Sequence, residues 1–346
     1  MATRFVVFVH PFLPMRALLF SSVLYDKLVF MKNPLVSVII TSYNQREYIG
    51  LAIGSVLNQT YPNIEIIVID DASTDGTQEI IKEISSEFED ERVRFIPKQQ
   101  NEGVTYCRNI GLAEFSGEYI CFLDGDDMYL PGKIGTQVDH MESNEDWMIS
   151  YHDADTFDSA SGETIFFYSD RFGVGNGTVY DLISKGMYIH FGSLMYRRKS
   201  IAFHTFNTQV RIVDDWLFTI EVLLNGNQDF FYIDKVLSKY RRHSTNITLD
   251  WDEKIRQNFD ALDIVGNKYK SAKFHIRSRQ AELYFIFTVF SFMKRNFFDV
   301  FKGLLNYFIY SFPNPLRFTR ILVREIKFLS THEFQFDSVI KSLWLS

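Results

Sequence analysis

The 346-residue chain is 46% hydrophobic and 23% charged, a globular composition with room for one large core or for a domain plus an appendage. A net charge of −7 argues against a general nucleic-acid binder, and two cysteines, Cys107 and Cys121, call for no disulfide framework and suit a reducing compartment. The average conceals a split: residues 251–346 hold 15 basic and 9 acidic residues, about +6, so an acidic body near −13 carries a basic tail.

Residues 1–33 are apolar, but their longest uncharged run, Phe5–Met15, is 11 residues and contains Pro11 and Pro14. A spanning helix needs roughly 20 apolar residues, and no small-residue cleavage pattern follows. The stretch is expected to be a dispensable extension, with Met31 as an alternative start. Val36–Ile40 is a short β-branched run of the buried parallel-strand type. Tyr48, Ile49, Ala52, Ile53, Val56 and Leu57 then recur at helical spacing. A second strand, Ile64–Ile69, ends in Asp70-Asp71. Ser73-Thr-Asp-Gly-Thr77 predicts a turn and helix cap, before a helix marked by Ile80, Ile81, Ile84 and Phe88. Val93–Ile96 predicts a third strand, Asn101–Ala113 a third helix and Tyr119–Leu123 a fourth strand.

This alternation is the rhythm of a parallel α/β sheet, whose ligands sit beyond the carboxyl ends of the strands. Polar clusters fall at those ends: Thr41–Asn44, Asp70–Asp75 and Asp124–Asp127. The last is the most informative. Side chains two apart on a strand point the same way, so Asp124 and Asp126 aim at one spot, and Gly125 between them permits close approach. Clustered carboxylates repel and are costly to bury. A hard divalent cation, Mg or Mn, itself holding a phosphate, answers both problems.

Beyond Pro131 the pattern is mixed. Gly173–Gly177 predicts a loop, His190–Tyr196 a strand, and Arg211–Leu224 a helix with Asp214 and Asp215 in its first turn, where the helix dipole favours carboxylates. Phe230–Val236 and Tyr240–His243 follow. From Trp251 the reading is helical, basic and rich in Phe, suited either to a membrane interface or to packing on the body. The expected organisation is an extension (1–33), an α/β domain (34–250) and a helical C-terminal region (251–346).

These motifs resemble those of the family 2 glycosyltransferases, which have the nucleotide-sugar-binding GT-A fold. The resemblance rests on Val36-Ser-Val-Ile-Ile-Thr-Ser-Tyr-Asn44, Ser55–Thr60, Ile69-Asp-Asp-Ala-Ser-Thr-Asp-Gly-Thr77, Asn101-Glu-Gly-Val with Arg108-Asn109, and Gly117–Asp127. It covers residues 34–132 closely, 133–250 sparsely, and nothing beyond. It implies a GT-A domain with a C-terminal helical extension and an inverting, metal-dependent enzyme. That enzyme would move a hexosyl or N-acetylhexosaminyl group from a nucleoside-diphosphate sugar, most simply a UDP-sugar, to a surface glycan or lipid-linked acceptor. By the same resemblance, Thr41 and Tyr43 contact the nucleoside, Asp71 the base, Arg108 the nucleotide, and Asp124 the ribose or a metal-bound water. Asp126 binds Mn or Mg, and Asp215 is the catalytic base. Asp214, His190 and His243 are further acceptor or diphosphate contacts. The second half lacks the Gln-x-x-Arg-Trp motif of polymerising members, which implies transfer of single sugars. A cytoplasmic location, peripheral at the inner face of the plasma membrane through 251–346, goes with this reading. Two alternatives stay open: a non-catalytic nucleotide-sugar-binding protein, and a nucleotidyltransferase, although Thr41–Gln45 lacks the glycine-rich basic loop of the latter.

Overall fold

The computed structural model describes residues 33–87, 92–244, 246, 251–293 and 296–311. The expectations for residues 1–32, and for the basic and aromatic residues beyond Ser311, lie outside these. From Leu35 onward the chain forms one compact unit.

The first half follows the predicted alternation: β1 (Val36–Ser42), α1 (Ile49–Leu57), β2 (Ile64–Asp70), α2 (Thr77–Glu87), β3 (Val93–Pro97), α3 (Val104–Glu114) and β4 (Tyr119–Asp124). After β5 (Met128–Tyr129) and α4 (Lys133–Glu142) come β6 (Ile149–Asp158), β7 (Thr164–Phe167), β8 (Gly177–Thr178), α5 (Val179–Lys185), β9 (Met195–Arg197), α6 (Asp214–Asn225) and β10 (Asp229–Arg242). Three longer helices end the described chain: α7 (Trp251–Lys268), α8 (Lys273–Met293) and α9 (Phe297–Ser311).

The sheet runs β3-β2-β1-β4-β9-β6-β10-β5. β3, β2, β1 and β4 are mutually parallel, as are β6 and β10, while β9 and β5 run antiparallel to their neighbours. Every residue of β1 is buried, because apolar clusters cover both faces of the sheet: Ile39, Ile67 and Phe122 on one side, Ile40, Val68 and Leu123 on the other. Register matters most for function. Ser42 lies opposite Asp70, and Thr41 opposite Asp124, so the polar clusters end side by side at one rim.

Three expectations change. His190–Tyr196 is not one strand: Ser193 donates its backbone N–H and its hydroxyl to the His190 carbonyl, closing a 3₁₀ turn at Phe191–Ser193 before β9 begins. The two segments around Phe230 and Tyr240 form a single strand, β10, whose register slips between Ile233 and Ser238 and so breaks the alternation in sequence. The helix carrying the acidic pair starts at Asp214 rather than Arg211. Helices α8 and α9 pack through Phe285 on Tyr307 and Tyr284 on Tyr310, with ring centroids 5.9 and 5.3 Å apart, so part of the C-terminal aromatic content is core. No helix among the described residues is long and apolar enough to cross a membrane.

Candidate active site

The rim is assembled by two loops that lock together. Asp75 caps α2, accepting from the Thr77 N–H and hydroxyl, and it also accepts from the Arg46 N–H. Asn44, in the left-handed region at φ 50°, donates its N–H to the Ser73 hydroxyl and accepts from the Thr74 N–H. Between these fixed points Tyr43 stands 46% exposed, its ring free to stack on a planar ligand. Thr41 is buried and donates to Asp124 at 3.2 Å.

Asp71 is fully engaged. Its carboxylate accepts from Lys98 Nζ at 2.7 Å and from the Glu102 and Gly103 N–H groups ahead of α3. Burial pushes its pKa up, but the Lys98 hydrogen bond and the two amides outweigh it and hold the carboxyl below the ordinary range. Asp71 is therefore buried at the rim with its oxygens already bonded. Lys98, which no motif singles out, is what keeps it charged.

Arg108 is the hinge of the arrangement. Its guanidinium is buried, lies over the Phe191 ring at 4.6 Å, and bridges Asp214 Oδ1 at 2.6 Å and Asp124 Oδ1 at 2.9 Å. Burial alone would lower its pKa, but Asp214, Asp124 and Asp215 together raise it, so it is a permanent cation. Arg108 thus links the end of β4 to the start of α6. Asp124 keeps 39% side-chain exposure while bonded.

The turn after β4 is fixed from beneath. The Gly125 N–H donates to the Thr41 carbonyl, and a Cβ at Gly125 would sit 3.0 Å from that oxygen and against Gln45 Oε1. The glycine is required by the neighbouring backbone. Arg241 of β10 donates its N–H to Asp127 Oδ1 and its Nε–H to the Asp126 carbonyl. Burial, with Asp126 and Asp124 beside it, pushes Asp127 well above the carboxylate range. His190 is not on the rim. It is buried beneath the turn, with Nε2 3.6 Å from Asp127 and its ring between Tyr168 and Tyr240. Burial brings it down to about 4, so it is neutral beside Asp127. His243 does reach the rim: its Nε2 lies 2.9 Å from Asp126 Oδ2, and Asn246, which sequence reasoning passed over, approaches the same oxygen at 3.4 Å.

Across the cleft stands the acidic pair. Asp214 is buried and held by Arg108, with its Oδ2 lacking a partner. Asp215 is half-buried, and its Oδ1 accepts from the Trp216 N–H. Burial first, then Asp214, raises Asp215 to about 7 against the pull of Arg108. Lys254 of α7 belongs to the same field. Burial brings it down to about 8, opposed by Asp215 and aided by Arg242 and Arg279. The C-terminal region thus supplies a basic group near the pair.

Asp124, Asp126 and Asp127 thus face Asp214 and Asp215 across the cleft, and the buried Arg108 guanidinium bonds one carboxylate on each side. This oxygen-rich donor set suits a hard divalent cation at Asp126. Among the described residues no three His, Cys, Asp or Glu side chains close on one point, so water and ligand phosphate oxygens would complete the coordination.

The family model described as "Glycosyl transferase family 2" matches residues 37–201. A glycosyltransferase of Haemophilus influenzae is 46% identical over 116 residues, covering 33% of this chain and 35% of its own length, so the chain spans about a third of that relative. An Escherichia coli protein, the UDP-Glc:alpha-D-GlcNAc-diphosphoundecaprenol beta-1,3-glucosyltransferase WfgD, is 28% identical, covering 68% of this chain and 89% of its own length. In fold, the chain is similar to the mannosyltransferase PcManGT from Pyrobaculum calidifontis, solved with GDP-Man and Mn2+. The TM-score is 0.61 and the identity 14%, with 95% and 92% of the two chains covered. The architecture is GT-A, and residues 37–201 form a family 2 glycosyltransferase domain.

Proposed function

We propose that the protein is an inverting, metal-dependent glycosyltransferase that moves a single sugar from a nucleoside-diphosphate donor, a UDP-sugar, to a glycan or lipid-linked acceptor in surface polysaccharide synthesis. The observation that carries this reading is the juxtaposition across one cleft of Asp124 and Asp126, at the end of β4, with Asp214 and Asp215, opening α6. Breaking a sugar–diphosphate bond leaves negative charge on the departing diphosphate. A divalent cation, which Asp126 would hold, would supply the opposite charge there. Tyr43 offers a face to the base. Asp124 is exposed enough to meet the ribose, and Arg108 holds it in place. Asp215, poised near neutral pH, removes the proton of the acceptor hydroxyl as that hydroxyl attacks. One base and one displacement invert the anomeric carbon. A UDP-linked donor and a lipid-linked acceptor take their support from the name of the Escherichia coli relative, and a place at the inner membrane face from the same acceptor class.

A donor screen tests this. Purified protein with Mn or Mg is mixed with UDP- and GDP-sugars, and release of the nucleoside diphosphate is followed. Slow release from one donor, abolished by chelation and restored by the metal, is expected. No release and no calorimetric binding of any donor would overturn the reading.

A further inference from the structure

Two phenylalanines stand in water without a reason in the core: Phe203 is 98% exposed and Phe274 is 68% exposed. Sequence separates them by 71 positions, but the fold joins their segments. His204, next to Phe203, lies 3.1 Å from Asn225 Nδ2 at the end of α6. The same amide donates to the Tyr269 hydroxyl at 2.7 Å, and Lys268 pairs with Glu221 at 3.0 Å. Tyr269 begins the connection from α7 to α8. From Lys268 to Arg277 the chain carries Lys268, Lys270, Lys273 and Arg277 with no acidic residue between them, and all four are exposed. Arg277 in turn reaches the Ile309 carbonyl of α9, whose outward positions Leu305 and Ile309 are each 52% exposed. One continuous edge thus combines exposed aromatic and aliphatic side chains with a run of cations.

An apolar edge threaded with lysine and arginine is the composition that enters a headgroup layer: the rings sink to the acyl boundary while the cations meet anionic phosphates. A protein partner of ordinary polarity gives no reason for the unbroken positive run. We propose that this edge, formed by the Phe203 loop, the α7–α8 connection and the outer face of α9, docks the protein on an anionic lipid bilayer. The inference deepens the proposed function, because an acceptor carried on a lipid is met only at such a surface. The edge lies at the far end of α6 from the acidic pair. Asn225, which anchors the edge, is ten residues beyond Asp215, about 15 Å along the helix, so the edge's side chains are not part of the reaction machinery.

The test is flotation of the full chain with phosphatidylcholine vesicles and with phosphatidylcholine–phosphatidylglycerol vesicles. Wild type is expected to float with the anionic vesicles and to be released by high salt. Lys270→Gln with Lys273→Gln is expected to lower the partition coefficient about 25-fold, at about fivefold per cation. Phe203→Ser with Phe274→Ser is expected to abolish flotation while leaving circular dichroism and donor release in vesicle-free buffer unchanged. Wild type that fails to float, or variants that float as wild type does, would overturn the proposal. So would a salt-resistant dimer that the phenylalanine variant breaks, since the edge would then belong to a second copy. Vesicle binding without donor release would sink the functional reading and spare the edge. Donor release without vesicle binding would do the reverse.

Discussion

Replacement of Asp215 by Asn has two consequences of opposite sign. The wild-type carboxyl is raised to about 7 by burial and by Asp214. If it is the base, about half is ionised at pH 7, and the ionised fraction falls about tenfold for each pH unit below that. The rate of donor turnover is therefore expected to show an acid limb near 7. Asp215→Asn is expected to lower the rate by about 10²–10⁴-fold, the usual contribution of a positioned base, and to leave calorimetric nucleotide affinity nearly unchanged. Stability moves the other way. A carboxyl whose folded pKa lies above its unfolded value of ~3.9 binds its proton more tightly when folded. The stabilisation is complete below the unfolded value and is lost as pH rises through 7. At pH 8 the wild type carries the cost of an ionised, half-buried acid beside Asp214, and the Asn variant does not. The Asn amide oxygen retains the bond from the Trp216 N–H. Scanning calorimetry is expected to give the variant the higher Tm at pH 8, with the gap closing at pH 5. A pH-independent rate between 5 and 8, or an Asn variant turning over normally, would refute the assignment. A Tm gap that does not change with pH would refute the electrostatic account.

Arg108→Gln removes the one guanidinium joining Asp124 to Asp214, leaving a buried carboxylate uncompensated. Urea denaturation is expected to show a loss of about 3–5 kcal/mol. Arg108→Lys is expected to recover little of it, because a compact ammonium does not span two carboxylates as the fork does. Gly125→Ala forces a methyl against the Thr41 carbonyl, and a destabilisation of about 1–3 kcal/mol is expected in the same assay. Lys133 is fully buried, with Nζ 2.9 Å from Cys121 Sγ and over the Tyr129 ring, and burial lowers its pKa. Lys133→Met keeps the packing volume and removes the desolvated amine. Its Tm at pH 7 is expected to match or exceed that of the wild type, and a fall of several degrees would show that the ammonium is needed.

How much of this was readable beforehand follows from where the determining contacts lie. β1, β2 and β4 were legible because strands covered on both faces carry unbroken apolar runs, and their polar ends marked the rim. Asp124, Asp126 and the acidic pair were legible as residue types, since each sits at the end of an element that fixes its direction. β6 was not. Its buried Ser150, His152, Asp153, Asp155 and Thr156 give a polar composition that resembles a surface segment. β10 was split by a register slip that leaves no mark in composition.

The roles of individual side chains were harder to read, for one physical reason. A charged residue is assigned by its partners, and the partners here are distant in sequence. Lys98 meets Asp71 across 27 positions, Arg108 meets Asp214 across 106, and Arg241 meets Asp127 across 114. Periodicity reports contacts within a turn or a strand pair; none of these is of that kind. Arg108, taken alone, is a cation beside a carboxylate-lined rim and invites assignment to a phosphate. Placed between Asp124 and Asp214, it couples the end of β4 to the acidic pair, and partly offsets the repulsion that Asp214 imposes on Asp215. Burial and then Asp214 raise Asp215 to about 7, Arg108 opposes them, and Asp124 adds a smaller push from the other side of the cleft. Altering Asp214 should therefore move the value more than altering Asp124 does.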